Sequence, residues 1–264
     1  MATVVIPAPT KVTCPYLYRY SAFIEERKNW LKEIILEHRL YVPNLSQLND
    51  PADGRPKLAH KSGDDLFFLL YNSPAGVLAR NPHMSVENQI KEGLILDYNL
   101  RHHGEEVVMR GTAESLYKEL EDWRIYCLCK RWGNMSMWAK YADVHKGYCL
   151  EFVNDGPFFG SAREVSYGDS IEIDITVREH LDGRWFFRKT LDWSNEEEVR
   201  VLVPRRSLPI TVIDPAWLTR LILGWKMPDP DRKMIREWAK QRSPELRVVT
   251  AFYDEFKQAL KLTD

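Results

Sequence analysis

Trp193-Ser-Asn-Glu-Glu-Glu-Val-Arg200 runs on into Val201-Leu202-Val203, so three consecutive carboxylates open a stretch with strand character. Glutamate is depleted in strands, and adjacent anions repel unless cations or hydrogen-bond donors sit beside them. In an extended chain side chains alternate faces, which places Glu196, Glu198 and Arg200 on one side and Glu197, Val199 and Val201 on the other. Two carboxylates and a guanidinium sharing one face make either a solvated ion pair at a strand mouth or a polar site built into a sheet. The rest of the chain decides between these.

Working outward, Tyr16-Leu-Tyr-Arg-Tyr20 is an aromatic first strand whose alternation separates Leu17 and Arg19 from Tyr16, Tyr18 and Tyr20. Phe23 to His38 carries Trp30, Leu31, Ile34 and Ile35 at helical spacing. Asn49-Asp-Pro-Ala-Asp-Gly54 is a cluster of turn formers. About 60–123 reads as a helical insertion, with helices near Asp65–Tyr71, Ser85–Arg101 and Thr112–Glu121. Arg124–Cys129 and Tyr148–Val153 read as strands flanking a short helix over Asn134–Asp143, and His180–Leu191 reads as helical. Strands follow at Ile210–Ile213, Leu221–Gly224 and Arg247–Phe252, a helix at Arg232–Gln241, and a charged tail closes the chain. Strands and helices are interspersed without regular βαβ alternation, which predicts α+β architecture: a single domain, 1–264, around a mixed or antiparallel central sheet.

Composition narrows the function classes. With 37 basic and 38 acidic side chains in 264 residues, bulk electrostatics does not favour coating nucleic acid or an anionic membrane. No stretch approaches the length of a transmembrane span, and Met1 to Pro9 lacks the basic n-region of a signal peptide. Cys14, Cys127, Cys129 and Cys149 are scattered, which suits a reducing, cytoplasmic setting. No glycine-rich phosphate loop or Gly-x-Ser-x-Gly elbow occurs, and the cysteines lack zinc-knuckle spacing, so no metal is expected.

Several segments together resemble the bacterial family called domain of unknown function 2971. They are Leu17-Tyr-Arg-Tyr20, Leu48-Asn-Asp-Pro51, Trp138-Ala-Lys-Tyr-Ala-Asp-Val-His-Lys-Gly147, Val165-Ser-Tyr167, Lys189 with Trp193 and Glu196-Glu-Glu198-Val-Arg200, and Ile213-Asp-Pro through Ile222-Leu-Gly224. They stand in the family's order and cover most of the chain. A weaker resemblance is to arginine-type ADP-ribosyltransferases, with Tyr18-Arg19, Cys127-Leu-Cys129 and Glu196-Glu-Glu198 in the order of that class's three motifs. The middle motif departs, since cysteines stand where the class has serines; Ser136 and Tyr141 lie just beyond.

This second resemblance implies an ADP-ribosyltransferase-like fold and NAD as substrate. Breaking the nicotinamide–ribose bond passes through an oxocarbenium-like state that a carboxylate stabilises. Glu198 is the candidate, with Glu196 activating or orienting the acceptor, a protein or a nucleic acid. Arg19, next to Tyr18, has the planar, permanently charged fork that a pyrophosphate needs. Trp138 or Tyr141 would cover nicotinamide. A toxin or phage-defence role suits such an activity. The same residues also fit a noncatalytic nucleotide- or partner-binding module, and Asp50, Glu196, Glu198 and Lys189 fit a metal-dependent nuclease.

Overall fold

The computed structural model describes residues 7–59, 83–120, 123–174, 183–203 and 207–264. The chain opens with β1 (Tyr16–Ser21), α1 (Glu25–Glu37), β2 (Arg39–Tyr41) and β3 (Lys57–Ala59). Two helices follow, α2 (Val86–His103) and α3 (Glu105–Leu120), broken at Gly104, whose φ of 80° is left-handed. Next come β4 (Arg124–Cys129), α4 (Met135–Lys140), β5 (Tyr148–Val153), α5 (Gly156–Phe159), β6 (Arg163–Glu164), β7 (Ser166–Gly168) and β8 (Glu172–Asp174). The last third contains β9 (Arg188–Thr190), β10 (Glu198–Val203), β11 (Ile210–Val212), β12 (Leu218–Leu223), α6 (Asp229–Gln241), β13 (Arg247–Asp254) and β14 (Ala259–Thr263).

Eight strands form one sheet in the order β14-β13-β12-β5-β1-β4-β10-β6. Only β12 and β13 pair in parallel within it, as a crossover through α6 requires; the other pairings are antiparallel. The expected α+β class with a mixed central sheet is therefore what the chain adopts, as a single domain.

Alternation assigns the two faces. Leu17, Tyr126, Leu128, Tyr148, Leu150, Phe152, Val199 and Val201 share one cluster with Leu31, Ile34 and Ile35 of α1 and Ile235 of α6. Each such side chain contributes about 1.5–3 kcal/mol by leaving water, which fastens both helices to this face. The opposite face carries Tyr18, Tyr20, Cys129 and Cys149 packed against Met137 and Trp138 of α4. Farther along it, Ile125 packs with Trp185, Phe186 and Phe187. Among the described residues no helix is long and apolar enough to cross a membrane.

The structure corrects two local expectations. Arg184–Phe187 is a 3-10 turn followed by strand β9, so the expected helix over His180–Leu191 does not form from Gly183 onward. Trp185, Phe186 and Phe187 are all buried, and three successive apolar side chains do not fit one helix face. The expected tail after Phe252 is instead β14, hydrogen-bonded to β13 from Asp254–Ala259 to Thr250–Thr263. The expected helix at Asp65–Tyr71 lies outside the described residues.

The segment from Trp138 to Gly147 is shaped by backbone crowding. Asp143, Val144 and His145 all have positive φ, and a side chain on Gly147 would put its Cβ 2.2 Å from the Ser21 carbonyl oxygen. Glycine is required there to let this loop lie against the end of β1.

Candidate functional site

The polar face of β10 is buried. Glu198 and Arg200 alternate with Val199 and Val201 and point away from the α1 side of the sheet. Arg200, fully buried, donates from Nε to Glu198 Oε1 at 2.8 Å and from Nη2 to Glu198 Oε2 at 3.0 Å. Its far edge reaches Asp53 at 2.7 and 2.6 Å, and Nη1 also donates to the Phe186 carbonyl at 2.6 Å.

Glu196 joins this group by a route that strand alternation does not describe. It ends a 3-10 turn, Leu191–Glu196, and Glu197 then takes a left-handed conformation (φ 48°, ψ 47°) before β10 begins. That kink turns Glu197 outward, where Arg131 grips both its oxygens, and returns Glu196 and Glu198 to the same side. The two carboxylates therefore do share a site, but Glu196 is not a strand residue.

Lys189 of β9 occupies the space between them. Its Nζ lies 2.9 Å from Glu196 Oε2, 3.3 Å from Glu198 Oε2, 3.8 Å from Asp53 Oδ2 and 4.4 Å from the centre of the Trp193 ring. Three carboxylates thus face two buried cations, and Lys140, 3.7 Å from Glu196 Oε1, approaches from the solvent side. Tyr141 completes the group: its hydroxyl donates to Glu196 Oε1 at 2.7 Å and accepts from Asn49 Nδ2 at 3.0 Å. The Glu198 amide donates to the Tyr167 hydroxyl at 2.8 Å.

Electrostatics follows from this packing. Burial alone would raise the Glu198 pKa, but Arg200 and Lys189 overcome it and hold the carboxyl down to about 2. Glu198 is therefore a fixed negative charge. Asp53 moves the other way: burial raises its pKa, Glu198 adds to the rise, and Arg200 opposes it. Burial works to lower Lys189, yet Glu198 and Glu196 override it and keep the ammonium protonated. Burial and Glu196 together push the Tyr141 hydroxyl up, so it remains a donor.

The site opens into a cleft of about 640 Å³ that passes through the sheet. β1 and β4 are neighbours but pair only at Tyr18–Cys129. Beyond that pair they diverge, and Arg19 bridges the gap, donating from Nη1 to the Cys127 carbonyl at 2.7 Å. A backbone acceptor that would have met a strand amide is met by a guanidinium. Arg19 also lies 5.2 Å from the Tyr126 ring centre, and among the described residues no carboxylate comes within 4 Å of it. On one side of the opening the cleft is lined by Trp30 and Tyr41; on the other it ends at Tyr141, Lys189, Glu196 and Glu198.

No protein-family model, curated protein or solved structure matches the chain. The site must be read from its own geometry.

That geometry brings Arg19, Tyr141, Glu196 and Glu198 to one cleft. Tyr18 borders it, but the Tyr18 ring is buried in the α4-side cluster, where burial and Glu151 raise its hydroxyl pKa. Trp138 is fully buried, donates to the Trp132 carbonyl at 2.8 Å and does not line the cleft. Of these two aromatic candidates, only Tyr141 lines the cleft. Cys127 lines the cleft with a thiol whose pKa burial and Glu198 push up, which makes it a poor nucleophile. Among the described residues no group of three His, Cys, Asp or Glu side chains is arranged to hold a metal, and Lys189 Nζ stands between the carboxylates.

Sequence reading missed Asp53, taken only as a turn former, and gave Lys189 no role in NAD chemistry. The one available signal was the excess of carboxylates over Arg200 in the glutamate stretch, which called for a further cation.

Proposed function

We propose that the cleft binds NAD and that the protein breaks the nicotinamide–ribose bond, as an NAD glycohydrolase or ADP-ribosyltransferase. The observation that carries this reading is the cleft's polarity: an arginine with no carboxylate partner among the described residues at its waist, and a cluster of carboxylates paired with buried cations at one end. A pyrophosphate belongs at the first and a ribose developing positive charge at the second.

As the bond breaks, nicotinamide leaves with the bonding electrons and its ring nitrogen loses its charge, while positive charge spreads over ribose C1′ and the ring oxygen. Glu198, held ionised by Arg200 and Lys189, stabilises that charge; its depressed pKa makes it a poor base, so its contribution is electrostatic. Glu196, fixed by Tyr141 and Lys189, orients the acceptor. Water or an acceptor hydroxyl or amine adds to C1′, forming the new bond, and its proton passes to solvent water in the cleft. The acceptor is a protein or nucleic acid group if not water. The free cysteines suit a cytoplasmic enzyme, and a toxin or phage-defence role fits such chemistry.

Nicotinamide release from NAD by purified protein tests the proposal, with Glu198→Gln and Tyr141→Phe alongside. Release that Glu198→Gln abolishes supports it; no release and no NAD binding by calorimetry overturns it. A second reading, a noncatalytic binding module, draws on the fact that every carboxylate oxygen of Glu196 and Glu198 already accepts a hydrogen bond within the protein. It predicts NAD binding without turnover.

A further inference from the structure

The two ends of the cleft lie on opposite faces of the sheet and differ in chemistry. The carboxylates stand on the face bearing Glu198 and Arg200, whereas Trp30 and Glu33 of α1 belong to the face that α1 covers. An elongated dianion meets Arg19 at the crossing, whereas at the carboxylate end the buried cations Arg200 and Lys189 are already taken by Asp53, Glu196 and Glu198. If the ribose to be cleaved lies at Glu198, the remaining nucleoside is directed through the opening toward α1.

That end is built for a planar base with a diol. Trp30 is 47% exposed on a helix that otherwise buries Leu31, Ile34 and Ile35. It stacks on Tyr41 with ring centres 5.6 Å apart and planes 15° from parallel. The Tyr41 hydroxyl is anchored by donating to Gln47 Oε1 at 2.8 Å. Arg27 lies 5.9 Å from the Trp30 ring, with no carboxylate within 4 Å among the described residues. Beside them Glu33 lines the cleft. Arg39, the nearby cation, is already engaged by Glu37 at 3.2 Å and Glu33 at 3.8 Å. A carboxylate accepts hydrogen bonds from a ribose diol and repels a phosphate placed on it.

We infer that the α1 end of the cleft holds the adenosine half of the dinucleotide and that Glu33 makes the site select NAD over its 2′-phosphorylated form. This rests on the reading of the cleft as an NAD site and adds to it an orientation and a specificity residue. Trp30 and Tyr41 bind the purine, Arg27 assists the diphosphate, and Glu33 reads the ribose.

Calorimetry with NAD, NADP, AMP and nicotinamide mononucleotide tests it on the wild type, Glu33→Gln and Trp30→Ala. Both altered side chains are partly exposed, so the fold is retained. NAD should bind at least about tenfold more tightly than NADP, and Glu33→Gln should narrow that ratio by removing the charge that repels the 2′-phosphate. Trp30→Ala should weaken AMP and leave the mononucleotide unchanged. Equal binding of NAD and NADP by the wild type, or a Trp30→Ala effect confined to the mononucleotide, overturns this inference and leaves the NAD site standing. Absence of binding by all four overturns both.

Discussion

Arg200 meets Asp53 through two near-parallel hydrogen bonds of 2.7 and 2.6 Å, across 147 positions of sequence. The pairing ties the turn after Asn49 to β10, the strand next to the sheet's β6 edge. It also turns the guanidinium so that its opposite edge grips Glu198. Fold and candidate chemistry are thereby coupled through one side chain.

Arg200→Met should accordingly cost on the order of 3–5 kcal/mol, the range for removing one partner of a buried ion pair. It would leave three buried carboxylates with Lys189 as their remaining buried cation. Urea unfolding with an unchanged m-value and a lowered midpoint is the expected result.

Acid should expose the Glu198 contribution. Its folded pKa, about 2, lies below the unfolded value, so the stability it supplies is present above roughly pH 4.5 and is lost as the pH falls toward 2. Asp53, raised by burial, has the opposite sign: its contribution is present at low pH and fades as the pH rises through its folded value. Stability measured between pH 2 and 6 should fall on acidification in the wild type and fall less steeply in Glu198→Gln.

Arg19→Ala should separate binding from folding. Losing the bond to the Cys127 carbonyl costs about 1 kcal/mol of stability. Dinucleotide affinity should drop by roughly tenfold or more, since a charge-assisted contact to the pyrophosphate goes with it. Full retention of NAD affinity would place the phosphates elsewhere.

Gly147→Ala should destabilise the protein by about 2 kcal/mol or more, because the new Cβ would stand 2.2 Å from the Ser21 carbonyl and 2.9 Å from the Ala142 Cα. Thermal unfolding of this variant, several degrees below the wild type, checks the loop's close approach to β1.

Much of this was legible from local pattern. Alternation along Glu198–Val203 placed Glu198 with Arg200 and Val199 with Val201 on opposite faces, as they are, because a strand buried on both sides obeys the period of two strictly. Alternation reached the right partner for Glu196 by the wrong route, since nothing in three adjacent glutamates announces a left-handed residue in the middle. Asp53 and Lys189 stayed hidden for a different reason. Their meaning comes from contacts with β10, and one lies in a turn whose composition already explained it. Tyr141 and Trp138, three positions apart on and beyond a short helix, looked alike in sequence, and only packing against His145 and Tyr20 shows which ring is core.

The single bonded pair between β1 and β4 divides the eight strands into leaves of five and three. A continuous ladder would resist shear between those leaves at every rung; here the backbone supplies one rung, and the Arg19 and Tyr20 side chains add bonds to the Cys127 and Arg131 carbonyls. The molecule thus has a built-in line of mechanical compliance, and whatever fills the cleft acts as a wedge and a rivet along it.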